Sequence, residues 1–149
     1  MMNPYKESIL NGETKNFLLG KGKYFVLDRD FGEHDITATY MDMLNFGLEN
    51  NEDTLYTQVN TDFIKILEDI NLTLEDYTYL LGFILFYFKY KYVYNKLKND
   101  WIIPKRLIEK INIKYIELKK LNNDMSNILR INNLIKQNYG FNILVDQND

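Results

Sequence analysis

The sequence predicts an all-α fold, a compact bundle of about six helices around a central aromatic-rich helix at residues 74–98. Apolar residues recur at helical spacing along most of the chain. Only 2 Pro and 7 Gly interrupt 149 residues, so long regular elements are expected. The connections between the apolar patterns are also short. We expect residues 1–149 to form a single all-α domain, because this length suits one hydrophobic core.

The first elements of the chain are short. Asn3-Pro4 is a typical helix start, and this first helix is expected to end at Asn11-Gly12. Residues 20–23, with two glycines, are expected to form a flexible connector. Residues 24–27 could form a strand and pair with residues 141–145, which could otherwise be a docked tail. The alternative to the all-α fold is therefore an α+β domain with a minor two-stranded β element.

Two acid-rich helices are predicted next. Asp35 can cap the first of them, and Asn50-Asn51 is expected to end it. The second covers about residues 53–70. Their predicted apolar faces consist of Ile36, Tyr40, Met43, Leu44 and Leu48 in the first helix and Leu55, Val59, Phe63, Ile66 and Ile70 in the second.

The stretch YLLGFILFYFKYKYVYNKL, residues 79–97, is predicted to be the core helix. Its uninterrupted apolar run ends at Lys89, which is too short for a membrane span of about 20 residues. Aromatics alternate with lysines from Phe88 onward, as in a strand, but no turn residue separates them from the preceding residues. Thr73 can cap the helix, whose first half should be buried on all sides. Neither a membrane span nor a membrane partner is expected.

Two further helices are predicted after the core helix. Pro104 suits the first position of one, and residues 122–124 separate it from the other. Gly140 suits the position just after the last helix. Trp101, in the link before Pro104, is interpreted as a core residue rather than an interface anchor.

The absence of cysteine and of an N-terminal apolar segment predicts a cytoplasmic protein, because disulfides are excluded and no secretion signal is visible. Abundant Asn, Ile, Lys and Tyr fit an AT-rich coding sequence and hence a bacterial or phage origin. No cofactor is expected.

Charge is divided unevenly along the chain. The net charge is −3, but residues 1–76, called the acidic segment below, carry 15 acidic and 6 basic residues, a balance of −9. Residues 77–149, the basic half, carry 6 acidic and 12 basic residues, a balance of +6. Such asymmetry predicts a charged partner unless the two parts neutralise each other. One alternative is an acidic face for a basic protein. The other is nucleic acid on the basic half, which an acidic chain disfavours; its candidates are Lys89, Lys91, Lys96, Lys98, Lys105, Arg106, Lys110 and Lys114.

No catalytic motif is recognisable, so the protein is not expected to be an enzyme. No phosphate-binding loop or nucleophile elbow occurs, and the acids near the lone His34 fail the EF-hand pattern, so no metal is expected. Residues 29–34, RDFGEH, resemble the Arg-x4-His signature of HEPN ribonucleases. That resemblance implies a ribonuclease in which His34 acts and Asp30 supports it, but here the six residues precede the second predicted helix, the one that Asp35 can cap, and contain Gly32.

In size, absence of cysteine and acid-rich segment, the chain resembles the immunity proteins of bacterial toxin systems, such as contact-dependent growth inhibition. That resemblance is one of general character and implies a non-enzymatic antitoxin that covers the basic active-site region of a nuclease-like toxin. Carboxylates would stand in for phosphate and pair with lysines and arginines of the toxin. The predicted partner-binding residues are Asp28, Asp30, Glu33, Asp35, Asp42, Glu49, Glu52 and Asp53.

Overall fold

The computed structural model describes residues 2–26, 33–94, 103–139 and 142–144. Side chains are described within these ranges except at 33–37, 52, 89–94, 135, 138 and 139. The described residues form one 3-10 helix, Gly22–Tyr24, and the α-helices α1 (Pro4–Leu10), α2 (Thr14–Leu19), α3 (Glu33–Glu49), α4 (Glu52–Leu67), α5 (Leu74–Tyr94), α6 (Lys105–Leu121) and α7 (Ser126–Tyr139). No strand occurs in these ranges, and the predicted all-α fold is confirmed.

The chain divides into two compact units, Met1–Ile66 and Leu67–Asp149. The boundary falls at the end of α4. The prediction of a single domain over residues 1–149 stays a prediction.

In the first unit, α1 begins at the predicted Asn3-Pro4 signal. The Asn3 Oδ1 accepts hydrogen bonds from the backbone N–H groups of Tyr5 (2.8 Å) and Lys6 (3.2 Å). It thereby satisfies donors that the first turn of a helix leaves without a partner. The Asn3 Nδ2 donates to the backbone carbonyl of Asp42 at 2.7 Å. One side chain therefore both starts α1 and joins it to α3.

Helix α2 was not predicted, and the expected connector at residues 20–23 is wrong. Gly20 ends α2 in the left-handed conformation, with φ 61° and ψ 42°. Its N–H donates to the Phe17 carbonyl, and the Lys21 N–H donates to the Asn16 carbonyl, the pattern of a glycine-terminated helix. Tyr24 then belongs to the 3-10 helix rather than to the possible strand at residues 24–27, whose last residue lies outside the described ranges.

A cluster of aromatic rings surrounds Tyr5, which is fully buried in the core of the first unit. The rings of Phe17 and Phe46 each lie 5.2 Å from the Tyr5 ring, between centroids. Helix α3 approaches α4 closely at Gly47, where an added Cβ would lie 2.8 Å from the Leu55 Cδ2. These rings therefore join α1, α2 and α3, and Gly47 permits the close approach of α4, which also contributes buried residues to the core of this unit.

The starts and ends of α3 and α4 correct two predictions. Helix α3 begins at Glu33, so Asp35 lies inside the helix and is not its cap. Helix α4 ends at Leu67, and Ile70, predicted on its buried face, is 90% exposed beyond it. Leu48 is also exposed. The predicted core positions Tyr40, Met43, Leu55, Val59, Phe63 and Ile66 are buried.

In the second unit, α5 begins as predicted, with the Thr73 Oγ1 accepting from the Asp76 N–H at 3.1 Å. Every residue from Tyr79 to Phe88 is buried, which confirms that this run is core. The predicted end of the helix, at residue 98, lies outside the described ranges, as does Trp101. Among the described residues, no helix has the length and apolar character needed to cross a membrane.

Helices α6 and α7 each bury an apolar face that also contains polar side chains, Asn112 and Lys114 on α6 and Asn132 on α7. The Tyr77 hydroxyl, fully buried on α5, donates to the Ile111 carbonyl of α6 at 2.8 Å. Pro104 is the cap residue of α6, so the helix begins at Lys105, one residue later than predicted. The described part of the C-terminal segment, Asn142–Leu144, is a docked tail rather than a strand; Gly140 lies outside the described ranges.

Candidate functional site

A groove of about 740 Å³ lies on the first unit, where the start of α1 faces α3. Two of the predicted partner-binding residues, Asp42 and Glu49, line it. The other lining residues are Met2, Asn3, Pro4, Lys6, Asn45 and Leu48. The groove therefore combines carboxylates with apolar and amide side chains.

Helix geometry places the two carboxylates on one side of α3. Asp42 and Glu49 are seven residues apart, close to two full turns, or about 10 Å along the helix axis. The hydrogen bond from Asn3 to the Asp42 carbonyl holds the start of α1 against this face. Sequence periodicity places the two acids on one face, but the wall formed by α1 depends on a contact 39 residues apart in the chain.

The groove is partly apolar and partly charged. Met2 is 50% exposed and Leu48 is 74% exposed, which is high for large apolar side chains. Asp42 is half-buried, and this burial raises its pKa above the ordinary value. Glu49 is exposed to solvent. Lys6 contributes one positive charge to the same groove. Lysine and arginine side chains combine an apolar stem with a cationic end, so this lining suits a basic side chain.

Asp53 has a local structural role. It is exposed in the first turn of α4, and its N–H donates to the Asn51 Oδ1 at 2.8 Å. The Thr54 N–H donates to the same oxygen at 3.1 Å, so Asn51 caps α4. A carboxylate in the first turn is favourable next to the positive end of the helix dipole. An acidic residue at position 53 is therefore explained by the stability of α4, without a role in binding another protein.

The remaining five predicted residues are only partly described. Asp28 and Asp30 lie outside the described ranges. Glu33 and Asp35 lie on α3 and Glu52 on α4, with no side-chain description. The described side chains thus bring Asp42 and Glu49 into one groove and place Asp53 separately, at the start of α4.

Part of the basic half is engaged within the second unit. The Lys110 Nζ lies 2.9 Å from the Glu68 Oε2. The Lys114 side chain is buried and donates to the Glu117 carboxylate (2.9 Å) and to the Asp69 carbonyl (3.0 Å). Both lysines were candidates for phosphate contacts. Lys110 of the basic half therefore neutralises the carboxylate of Glu68, which belongs to the acidic segment.

The catalytic and metal candidates acquire no support in the described residues. Arg29 and Asp30 of the HEPN-like motif lie outside the described ranges, and the side chain of His34 is not described. Within the part of the chain that the structure describes, no group of three or more metal-ligating side chains is present.

Two buried asparagines were not singled out from the sequence. Asn112 on α6 is 8% exposed and Asn132 on α7 is 2% exposed, and both bind the backbone of the C-terminal tail. The available signal was an amide side chain beside the apolar stripe of an amphipathic helix, where asparagine has low helix propensity. A buried amide requires hydrogen-bond partners, so that position is informative.

No protein-family model matches the chain, and neither does any curated protein or solved structure.

Proposed function

We propose that this protein is a non-enzymatic protein-binding module, an immunity or antitoxin protein that neutralises a basic, nuclease-like toxin. Its acidic surface on the first unit binds the region of the toxin that would otherwise contact phosphate. The observation that supports this proposal is the groove in which Asp42 and Glu49 lie beside exposed apolar residues.

The mixed character of the groove favours a protein over a small cation. Protein interfaces combine a hydrophobic centre with charged and polar groups at the rim. Met2 and Leu48 supply exposed apolar surface, and Glu49 supplies an exposed carboxylate nearby. Complementary charge accelerates the encounter with a basic partner and disfavours acidic ones. Apolar surface for contact and negative charge for fast association together suit an inhibitor that must capture a toxin quickly.

The alternative, a nucleic-acid-binding protein or HEPN-like ribonuclease, receives less support. Lys110 and Lys114 already bind carboxylates and a backbone carbonyl of their own unit. A lysine engaged in this way would have to leave its partner before neutralising a phosphate. Lys105 and Arg106 are exposed and remain candidates for such contacts.

The test is a matched pair of charge reversals in a toxin-binding assay. The toxin probe is the C-terminal domain encoded by the reading frame next to this gene, produced as an inactive variant. Glu49→Lys reverses an exposed carboxylate in the groove, and Glu109→Lys reverses an exposed carboxylate on α6. We expect Glu49→Lys to slow association on the order of tenfold at low salt, and Glu109→Lys to change it little.

Two results would contradict the proposal. Equal effects of the two reversals would show that net charge, and not the groove, governs binding. Retention of the purified protein on RNA at about 0.15 M salt, together with loss of RNA cleavage in His34→Ala, would instead establish the ribonuclease alternative.

A further inference from the structure

Helix α6 carries two large apolar side chains on its solvent side. The apolar residues of its buried side are Leu107, Ile111, Tyr115 and Leu118. On the opposite side, Ile113 is 53% exposed and Ile116 is 40% exposed. The other exposed residues from position 105 to position 120 all carry a charge: Lys105, Arg106, Glu109, Glu117 and Lys120. The two isoleucines are therefore an apolar interruption of a charged surface, and neither belongs to the buried core.

A charged residue lies about one turn beyond each isoleucine, and the two charges have opposite signs. Glu109 precedes Ile113 by four residues, and Lys120 follows Ile116 by four residues. With 3.6 residues per turn, these four side chains lie within about 60° of one another around the helix and along ~16 Å of its length. They form one surface, called the α6 stripe below, in which an acid, two isoleucines and a base follow in order.

The charges at the two ends of the α6 stripe are not matched within the described part of the chain. There, neither Glu109 nor Lys120 makes an ion pair. Glu117, which flanks the stripe, is by contrast bound to Lys114 at 2.9 Å. The α6 stripe is therefore an exposed surface with one uncompensated charge of each sign.

The order of residues makes the α6 stripe complementary to its own reverse. When two copies lie side by side in opposite directions and share the midpoint of the stripe, Ile113 of one copy faces Ile116 of the other. Glu109 of each copy then faces Lys120 of the other. A two-fold axis pairs residues in this way, because both copies contribute the same patch. In a parallel pair, Glu109 would face Glu109 and Lys120 would face Lys120, which like-charge repulsion disfavours.

We propose that the α6 stripe is a self-association surface, on which a second copy of this chain docks with its own α6 antiparallel. The charge order favours a second copy over an unrelated partner, since the same stripe supplies both members of each ion pair. Two exposed isoleucines per copy bury little apolar area, so the interface is small and transient, and we expect a Kd on the order of 100 µM. The inference uses residues of the second unit alone and is independent of the proposed toxin groove.

The test is a charge swap between two full-length variants. Glu109→Lys makes both ends of the α6 stripe basic, and Lys120→Glu makes both ends acidic. Each variant alone should dimerise about fivefold more weakly than wild type, because like charges face each other at both ends. A 1:1 mixture of the two variants should recover the wild-type affinity, since the basic stripe of one faces the acidic stripe of the other.

Sedimentation equilibrium between ~10 µM and ~1 mM measures these dissociation constants, and circular dichroism establishes that each variant is folded. Lys136→Glu is the matched control for Lys120→Glu, because Lys136 is an exposed lysine of the same unit on α7, and it should leave the Kd nearly unchanged. A wild-type chain that is monomeric at ~1 mM overturns the proposal, whatever the variants do. Equal weakening by Lys136→Glu and Lys120→Glu, or a mixture no tighter than the single variants, also overturns it.

Cross-linking tests the orientation of the two helices, and the absence of cysteine from the chain makes single thiols specific. Glu109→Cys and Lys120→Cys each place one thiol at an end of the α6 stripe. In the antiparallel pair these thiols face each other only in a mixture of the two variants, whereas identical positions lie ~16 Å apart along the helix axis. Mild oxidation of the mixture should therefore give a heterodimer. Homodimers formed as readily by each variant alone overturn the antiparallel arrangement.

Discussion

The Lys110 Nζ lies 2.9 Å from the Glu68 Oε2, so a lysine of the basic half neutralises a carboxylate of the acidic segment. The two residues are 42 positions apart in the chain. This pair shows that the opposite charges of the two halves are partly compensated inside one unit. The carboxylate of Glu49, by contrast, is exposed in the groove of the other unit. The net charge of the acidic segment therefore overstates the charge available to a partner.

The first prediction concerns the pKa of Glu68. Hydrogen bonding and charge attraction from Lys110 lower this pKa below its ordinary value of 4.5. A lowered pKa contributes stability above pH 4.5, and that stability is lost as the pH falls through the folded-state value. Lys110→Met should return the pKa towards 4.5, measured by NMR titration of the Glu68 side chain. An unchanged titration would show that Lys110 does not hold this carboxylate in solution.

The second prediction concerns Asp62, whose substitution should stabilise the protein at neutral pH. Burial raises the pKa of Asp62 above its ordinary value of 3.8, although Lys65 opposes the shift. Its Oδ2 is buried without a hydrogen-bond partner among the described residues. A raised pKa means that the charged form is disfavoured in the folded state. The penalty is absent below pH 3.8 and develops as the pH rises through the folded-state value.

Asp62→Asn should therefore raise the free energy of unfolding at pH 7 and leave it nearly unchanged below pH 3.8. Urea unfolding at both pH values measures this difference. Asp53→Asn is the control, because Asp53 is exposed in the first turn of α4 and its charge is favourable there. A loss of stability in Asp62→Asn at pH 7 would contradict the argument from burial.

The third prediction concerns the hydroxyl of Tyr77. It is fully buried, and it donates to the Ile111 carbonyl at 2.8 Å. Tyr77→Phe retains the ring and removes this bond, so we expect a loss of about 1 kcal/mol in the free energy of unfolding. The denaturant midpoint should fall with no change in the slope of the transition. Tyr77→Leu should cost more, because it also removes buried ring volume. A Tyr77→Phe variant as stable as wild type would contradict this role.

The fourth prediction separates the two roles of Asn3. Asn3→Ala removes both the cap of α1 and the bond to the Asp42 carbonyl, and we expect a loss of about 1–2 kcal/mol. Asn3→Asp keeps the acceptor for the amides of Tyr5 and Lys6 but removes the donor to Asp42. Hydrogen exchange should show those two amides exposed in Asn3→Ala and protected in Asn3→Asp. Protection of both amides in Asn3→Ala would show that the side chain does not cap the helix.

Much of the helical framework could be predicted because its signals are local. Asn3-Pro4 marks the start of α1, and Thr73 marks the start of α5, since a capping side chain binds amides two or three residues further along. The run from Tyr79 to Phe88 is buried because it has no polar side to turn towards water. Helix α2 was missed because six residues give too short a pattern for periodicity to reveal. Ile70 was misassigned because the same spacing continues past the end of α4.

The sequence by itself determined the helical fold class, the principal caps and the division of charge, because each depends on residue type and on neighbours within a few positions. Only the tertiary structure decided which distant groups meet: the Asn3 amide with the Asp42 carbonyl, Lys110 with Glu68, and Asn132 with the backbone of Ile143. Carboxylates, lysines and amides are each compatible with many partners. Their pairing is selected by how the helices pack, since burial requires that each polar group find a partner within hydrogen-bonding distance.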